Sequence, residues 1–261
     1  MAISFDVISD LHFNNFSTHL YPNIKPNSEM LVMLGDVCEV NQVRQMMPFF
    51  RYISSNWKLI LYIPGNHEFY GYFLDDTVTV LKCELQSLTN IKILDNECHM
   101  VNDTLFVGST LWSDMDNDNP VTKVVCKGAI SDYRYIRKSY YENNNYPITP
   151  NDTVALFDKS IEFIENSVFD KGNDEIVILT HHAPSYSCVD AKYKGERTNG
   201  AFVSDLNEFI LDNPQIKVWA YGHTHNPRDF YIGTCRVVSN PKGYSGENMG
   251  DKQYKPITVK I

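Results

Sequence analysis

The sequence predicts a mixed α/β protein, on three observations. Short runs rich in Ile, Val, Leu and Tyr recur at Ile3 to Ile8, Met30 to Leu34, Leu59 to Ile63, Glu175 to Thr180 and Lys217 to Tyr221, and Gly, Ser or Thr residues close them, as at strand ends. A helical period follows residue 150, with Asn151 as the expected cap and Val154, Leu156, Phe157, Ile161, Phe163 and Ile164 as the apolar face. Late in the chain, Phe230 to Ile232 and Cys235 to Ser239 flank a Gly233-Thr234 turn, and Pro256 to Ile261 reads as a closing strand.

Each of the first five strands releases a polar cluster at its carboxyl end. Asp10 and His12 follow the first, Asp36 the second, Asn66 and His67 the third, His181 the fourth, and His223 and His225 the fifth. Counting His182 beside His181, six of the eight histidines lie in these clusters, and Asp and Asn add the oxygen ligands that a divalent cation takes. Open α/β sheets gather ligands in the crevice outside the carboxyl ends of their strands, so loops spread from residue 10 to residue 225 can converge. The set reads as a two-metal hydrolytic site.

Taken in order, Asp10 and His12 sit two apart, and an extended chain would turn both to one side while Leu11 faces the core. They are expected to share one metal. Gly35 lets the backbone bend just before Asp36, whose two oxygens can bridge two cations, a task an imidazole nitrogen cannot perform. Pro64-Gly65-Asn66-His67-Glu68 joins a turn to one oxygen ligand and one imidazole placed to exchange a proton near neutral pH, with Glu68 or Asp36 to orient it. His182 follows a ligand on an extended segment and so points away from it; a wall of the substrate site and a packing role both stay open. Spacing alone puts His223 and His225 on one metal.

The series Asp10-x-His12, Gly35-Asp36, Gly65-Asn66-His67-Glu68, Thr180-His181 and Gly222-His223-x-His225 resembles the calcineurin-like metallophosphoesterases, in their order and over residues 3 to 225. Four further segments, 108–112, 132–137, 181–185 and 240–244, look like a bacterial and phage branch whose substrate is undefined. The resemblance implies a four-layer αββα sandwich of two mixed β-sheets flanked by helices, in one domain over residues 1–261. It implies two metal ions, Mn, Fe or Zn, with Co or Ni also compatible. One would take Asp10, His12, Asp36 and His225, the other Asp36, Asn66, His181 and His223. Two cations about 3.5–4 Å apart would hold a shared water, acidify it and clamp the phosphoryl oxygens for in-line attack by hydroxide. His67 would then protonate the leaving oxygen.

The leading expectation is a phosphodiesterase acting on a nucleotide, a cyclic nucleotide or a short nucleic acid. The alternative is a phosphomonoesterase, including a protein phosphatase, but Val37-Cys38-Glu39-Val40 stands where that branch carries Asp-Arg-Gly, removing a phosphate-gripping Arg. A non-catalytic scaffold of the same fold is the third reading, and the intact ligand set argues against it.

Composition narrows the partners. With 261 residues, 43% of them hydrophobic, the chain can bury a large core, and the clusters run through too much of it to be divided. A net charge of −9 argues against gripping long duplex DNA. Six cysteines without paired spacing read as reduced thiols in a cytoplasm. Ser4 and Asp6 break the first apolar run, no basic segment precedes it, and nothing approaches a membrane span. The oligomeric state stays open.

Between the third and fourth clusters, residues 112–150 form a possible cap with Trp112, Lys123, Lys127, Tyr133, Arg134, Arg137, Lys138, Tyr140 and Tyr141, mixing cations that hold phosphate with rings that stack. Arg134 and Arg137, with Asn66 and His182, are the expected substrate contacts, and the insertion is expected to leave the metal site alone. The competing expectation is a decoration held down by ion pairs from Asp132 to these arginines.

Overall fold

A computed structural model describes residues 3–13, 24–139, 145–171, 175–244, 246–247 and 254–261; Tyr140 and Tyr141 lie outside them. Eleven strands are present among the described residues: β1 Ser4–Ile8, β2 Met30–Leu34, β3 Leu59–Ile63, β4 Ile91–Ile93, β5 Glu97–Val101, β6 Thr104–Ser109, β7 Ile176–Thr180, β8 Ile216–Tyr221, β9 Arg228–Ile232, β10 Cys235–Ser239 and β11 Ile257–Lys260. They form two mixed sheets, ordered β11-β1-β2-β3-β4 and β5-β6-β7-β8-β10-β9. The strands β1 to β4 are parallel, as are β6, β7, β8 and β10, while β11, β5 and β9 close the edges antiparallel.

The period-two alternation of strand side chains sorts the core into three slabs. Phe5, Val7, Val32, Leu34, Leu61 and Ile63 meet Phe106, Val177, Leu179, Val218 and Ala220 between the sheets. Phe5 and Phe106 touch edge to face across that gap, with ring centroids 5.6 Å apart. Their chain neighbours Ile8, Leu31, Met33, Ile60 and Tyr62 turn outward to Phe49, Phe50 and Ile53 of the helix Met47–Asn56 and Leu81 of the helix Thr77–Leu85. On the other side, Leu105, Val107, Ile176, Ile178 and Trp219 pack against the helices Pro150–Lys171 and Asn207–Asp212. Helix, sheet, sheet and helix stack as the predicted αββα sandwich. Strands covered on both faces carry unbroken apolar runs, which is why β2 and β7 are buried at every position.

The long helix begins one residue before the expected cap, because Pro150 takes the first turn, where its missing N–H costs nothing. Thr149 precedes it, and Asp152 accepts hydrogen bonds from the Thr149 N–H (2.8 Å) and hydroxyl (2.7 Å). Asn151 is exposed and receives the Lys123 ammonium. The buried face runs through Thr153, Phe157, Ser160, Ile164 and Val168, with Val154, Leu156, Ile161 and Phe163 flanking it half-buried.

The 112–150 segment spends most of its cations on itself. Lys123 pairs with Asp118, Lys138 with Asp152 at 2.7 Å, and the exposed Arg134 donates to the Gly128 carbonyl at 2.7 Å. The expected Asp132 ion pair with Arg134 or Arg137 is absent among the described residues; Asp132 is buried and turned toward the third cluster. No helix among the described residues is long and apolar enough to cross a membrane, and all six cysteines are unpaired.

Candidate metal centre

All five clusters leave carboxyl ends of parallel strands, so topology delivers them to one edge of the sandwich. Local backbone does the rest, and not as extended chain: Asp10 (φ 54°), His12 (46°), Asp36 (54°), His223 (67°) and His225 (48°) all lie in the left-handed region. Such non-glycine residues cost about 1–3 kcal/mol each and persist where surroundings over-determine them. Here the loops after β1 and β2 are laced together by the Asp10, His12 and Phe13 N–H groups donating to the Gly35, Asp36 and Val37 carbonyls. The expectation that extended geometry aligns Asp10 with His12 is therefore replaced by two left-handed turns.

Gly35 has φ +83°, and a Cβ on it would stand 2.4 Å from His181 Nδ1. A Cβ on Gly65 would stand 2.3 Å from an Asp36 oxygen. Loops two and three thus approach to backbone contact, and Glu68 fastens them. Its buried carboxylate accepts from the Gly65, Asp36 and Val37 N–H groups and the Tyr62 hydroxyl, at 2.7 to 2.9 Å. Burial, then the Asp36 charge, lifts its pKa to about 7 against the Tyr62 hydroxyl, His181 and the Val37 N–H. Glu68 faces the loop interior and does not orient His67, correcting one of the two expectations for that imidazole.

Two groups of side chains result. Asp10, His12, Asp36 and His225 bring one atom each within 4.8 Å of one another, and so do Asp36, His181 and His223. Asp36 belongs to both: Oδ2 is 3.7 Å from His12 Nε2, and Oδ1 is 3.3 Å from His181 Nε2. The Nε2 atoms of His12 and His225 face each other at 2.8 Å. His223 and His225 fall into different groups, as the family pattern implied and spacing alone did not. His223 donates its backbone N–H to both oxygens of Asp10.

The donor set suits cations. His181 uses Nδ1 on the Leu34 carbonyl (2.7 Å) and His225 uses Nδ1 on Glu247 (2.8 Å), leaving each Nε2 turned inward, the arrangement typical of metal-bound imidazoles. Asn66 is oriented in the same way. Its amide donates to Asp132 at 2.8 Å, so its oxygen lies 3.0 Å from His181 Nε2. Burial, with the nearby His225 ring, pushes His12 down to about 3 against the pull of Asp36 and Asp10, whereas burial is outweighed at His181 and His225 by Asp36 and Asp10, raising both to about 9. Burial also opposes ionisation of Asp10 and Asp36, yet their histidine partners hold both below the usual carboxylate range.

His67 stands beside the shared carboxylate. Its backbone N–H donates to Asp36 Oδ1 (2.9 Å), and its Nε2 is 3.9 Å from Asp36 Oδ2. Its ring stacks on Tyr70 at 4.1 Å, and the Tyr244 hydroxyl is 3.2 Å from Nε2. His182 is buried with Nδ1 3.1 Å from the Thr110 carbonyl, its ring 4.3 Å from that of His223 and 5.4 Å from Trp112. Its position is that of a packing support for His223. Neither Arg134 nor Arg137 hydrogen-bonds to a residue of either group.

Asp132, expected as an ion-pair partner of the arginines, and Tyr244 and Glu247, given no role from the sequence, complete the site. Asp132 accepts from Asn66 and from the Tyr70 hydroxyl (2.7 Å), so the insertion is not separate from the cluster as expected. Tyr244 lies over His12 (4.3 Å) and His225 (4.7 Å), and Glu247 holds His225. The available signal was topological: β10 runs parallel to β8, so the loop after Ser239 leaves the same edge as the ligand loops.

A two-sheet sandwich with paired His and Asp groups at one strand edge defines a metallohydrolase class. The chain belongs to the calcineurin-like phosphoesterase family, whose model matches residues 3–227. It is 34% identical over 244 residues to the protein L509 of Acanthamoeba polyphaga mimivirus, described as uncharacterized, covering 88% of this chain and 83% of that one. Among solved structures it is similar to a phosphopantetheinyl hydrolase from Mycobacterium tuberculosis, with TM-score 0.71, 16% identity, and 92% and 89% of the two chains covered. A dimetal phosphatase from Danio rerio superposes with TM-score 0.53 at 10% identity, covering 91% and 86%. At these identities the two structures establish the shared fold.

Proposed function

We propose that the protein is a binuclear metal-dependent phosphodiesterase acting on a nucleotide, a cyclic nucleotide or a short nucleic-acid phosphodiester. The observation that carries this reading is Asp36, buried, with one oxygen toward His12 and the other toward His181. A carboxylate so placed is suited to two cations. Asp10, His12, Asp36 and His225 would hold one, and Asp36, Asn66, His181 and His223 the other; Mn, Fe or Zn suit these nitrogen and oxygen donors, as do Co and Ni. When bound, such a pair acidifies water and withdraws charge from phosphoryl oxygens.

The chain's own residues do the remaining work. Asp132 keeps the Asn66 oxygen turned inward, and Glu68 holds loops two and three at the spacing the cluster needs. His67, held by Tyr70 stacking and the Tyr244 hydroxyl, would give a proton to the departing oxygen. Diesters are favoured over monoesters because the segment Val37-Cys38-Glu39-Val40 after Asp36 carries no Arg to grip the extra charge of a monoester dianion. A cytoplasmic location belongs to the same reading and rests on the scattered spacing of the six cysteines.

A panel of bis(4-nitrophenyl) phosphate, 4-nitrophenyl phosphate, cyclic nucleotides and dinucleotides, each with Mn, Fe, Zn, Co and Ni, tests this function. A phosphopantetheine conjugate belongs on the panel, given the name of the mycobacterial neighbour. Faster turnover of diesters is expected; preference for monoesters, or no turnover with any metal, would overturn the reading.

A further inference from the structure

A cavity of about 900 Å³ is framed by Tyr186, Lys194, Glu196, Arg197, Arg228 and Asp116. Its walls continue the ligand loops. Tyr186 comes five residues after His181, and Arg228 three after His225. The turn Arg197–Ala201 runs into Phe202, whose ring stacks on His223 at 4.5 Å and 28° and whose carbonyl accepts from the Ala183 N–H. The ring that stacks on His223 therefore stands two residues along the chain from the lining residue Gly200.

The charges there are unspent. On a chain of net charge −9, the Lys194 and Arg197 side chains make no ion pair or hydrogen bond among the described residues, whereas Arg44 and Arg236 are held in two-pronged pairs with Glu84 and Asp229. Two carboxylates share the frame with three cations: Asp116 accepts the Tyr186 and Thr122 hydroxyls at 3.3 and 3.4 Å, and Glu196 the Thr198 hydroxyl at 3.4 Å, so that Lys194, Arg197 and Arg228 leave the frame net positive. Arg228 is half-buried, with one N–H on the Val189 carbonyl at 3.2 Å. Binding pockets for whole ligands span roughly 300–1,000 Å³, so this one far exceeds a lone phosphate and suits a nucleotide-sized group. The partly exposed Tyr186 ring offers a stacking face for a base.

We infer that this cavity takes the part of the substrate that does not react, a nucleotide-sized portion bearing a second anionic group held by Lys194 and Arg197. The inference rests on the proposed phosphodiesterase reading. It moves substrate choice from Arg134 and Arg137 to the loop after His182.

The test compares thymidine 5′-(4-nitrophenyl phosphate) with its 3′-phosphorylated form, which differs only by the second phosphate. The wild type should favour the 3′-phosphorylated ester by about 10-fold or more in kcat/KM, the low end for a charge-assisted contact because both cations are exposed. Lys194→Ala and Arg197→Ala should lower that ratio through KM and leave hydrolysis of the other ester unchanged. A second readout needs no turnover: calorimetric binding of thymidine 3′,5′-bisphosphate to metal-free protein should weaken about 10-fold or more in the double variant. Equal binding to wild type and double variant, no binding to wild type, or equal rates on both esters would overturn the inference while diester hydrolysis stands. If neither ester is turned over with any metal but the bisphosphate binds and the double variant loses it, the phosphodiesterase reading fails and the anion site stands.

Discussion

In the proposed reading Asp36 concentrates the chemistry, because a carboxylate has two oxygens to offer two cations. An amide of the same shape offers one oxygen and turns an N–H₂ toward the other ligand group. Asp36→Asn should therefore lose metal from both positions and more turnover than any other single ligand change, with metal content read by elemental analysis. Two retained metals with near-normal turnover would remove the shared role. At His67 the expectation is the opposite in metal and similar in rate. His67→Ala should keep both metals yet lose about 10²–10⁴-fold in turnover when the leaving group is an alkoxide. With 4-nitrophenolate, which departs without a proton, the loss should shrink; an equal loss with both would make His67 a positioning residue.

The elements that carry the site are short turns braced from outside. The segment Asp132–Tyr135 shows how far the brace reaches: it belongs to the 112–150 insertion, yet Asp132 fixes the amide of Asn66 and the hydroxyl of Tyr70, on which His67 stacks. Outer carboxylates of this kind typically contribute 10- to 100-fold in metal affinity. Asp132→Ala should weaken the position served by Asn66 and His181 by about that factor and spare the one served by His12 and His225. Stepwise metal titration reads the two affinities separately. Equal weakening of both would mean that Asp132 supports the fold of the edge and not one ligand.

For the whole molecule, loops from residue 10 to residue 225 meet at one place, so anything that binds there binds the folded chain alone. Metal removal should lower thermal stability, and each site filled at 100 times its dissociation constant should return about 2.7 kcal/mol. The cluster without cations holds protons instead. His181 and His225, raised to about 9 by the carboxylates beside them, are protonated at pH 7, and cations must displace those protons. Apparent metal affinity should rise as pH goes from 7 to 9, with proton release measurable by calorimetry in buffers of different ionisation enthalpy. Affinity independent of pH over that range would contradict this account.

Much of this was legible in the chain. The bounds expected for β2, β3 and β10 coincide with the strands residue for residue, because strand formers bounded by turn residues are a local pattern. Residues at strand ends likewise picked out the side chains that gather in the two groups, since types and placement need no knowledge of partners. Grouping them needed three dimensions. His223 and His225 are two apart in sequence, yet left-handed turns send them to different groups, and no periodicity encodes a positive φ at histidine. Glu247 and Tyr244 went unassigned, and Asp132 was assigned to the arginines beside it in sequence, because their partners are 22, 177 and 66 residues away. The sequence determined which side chains the edge would receive; the packing of two sheets decided which would meet, because hydrogen-bond geometry between loops depends on distances the chain order does not contain.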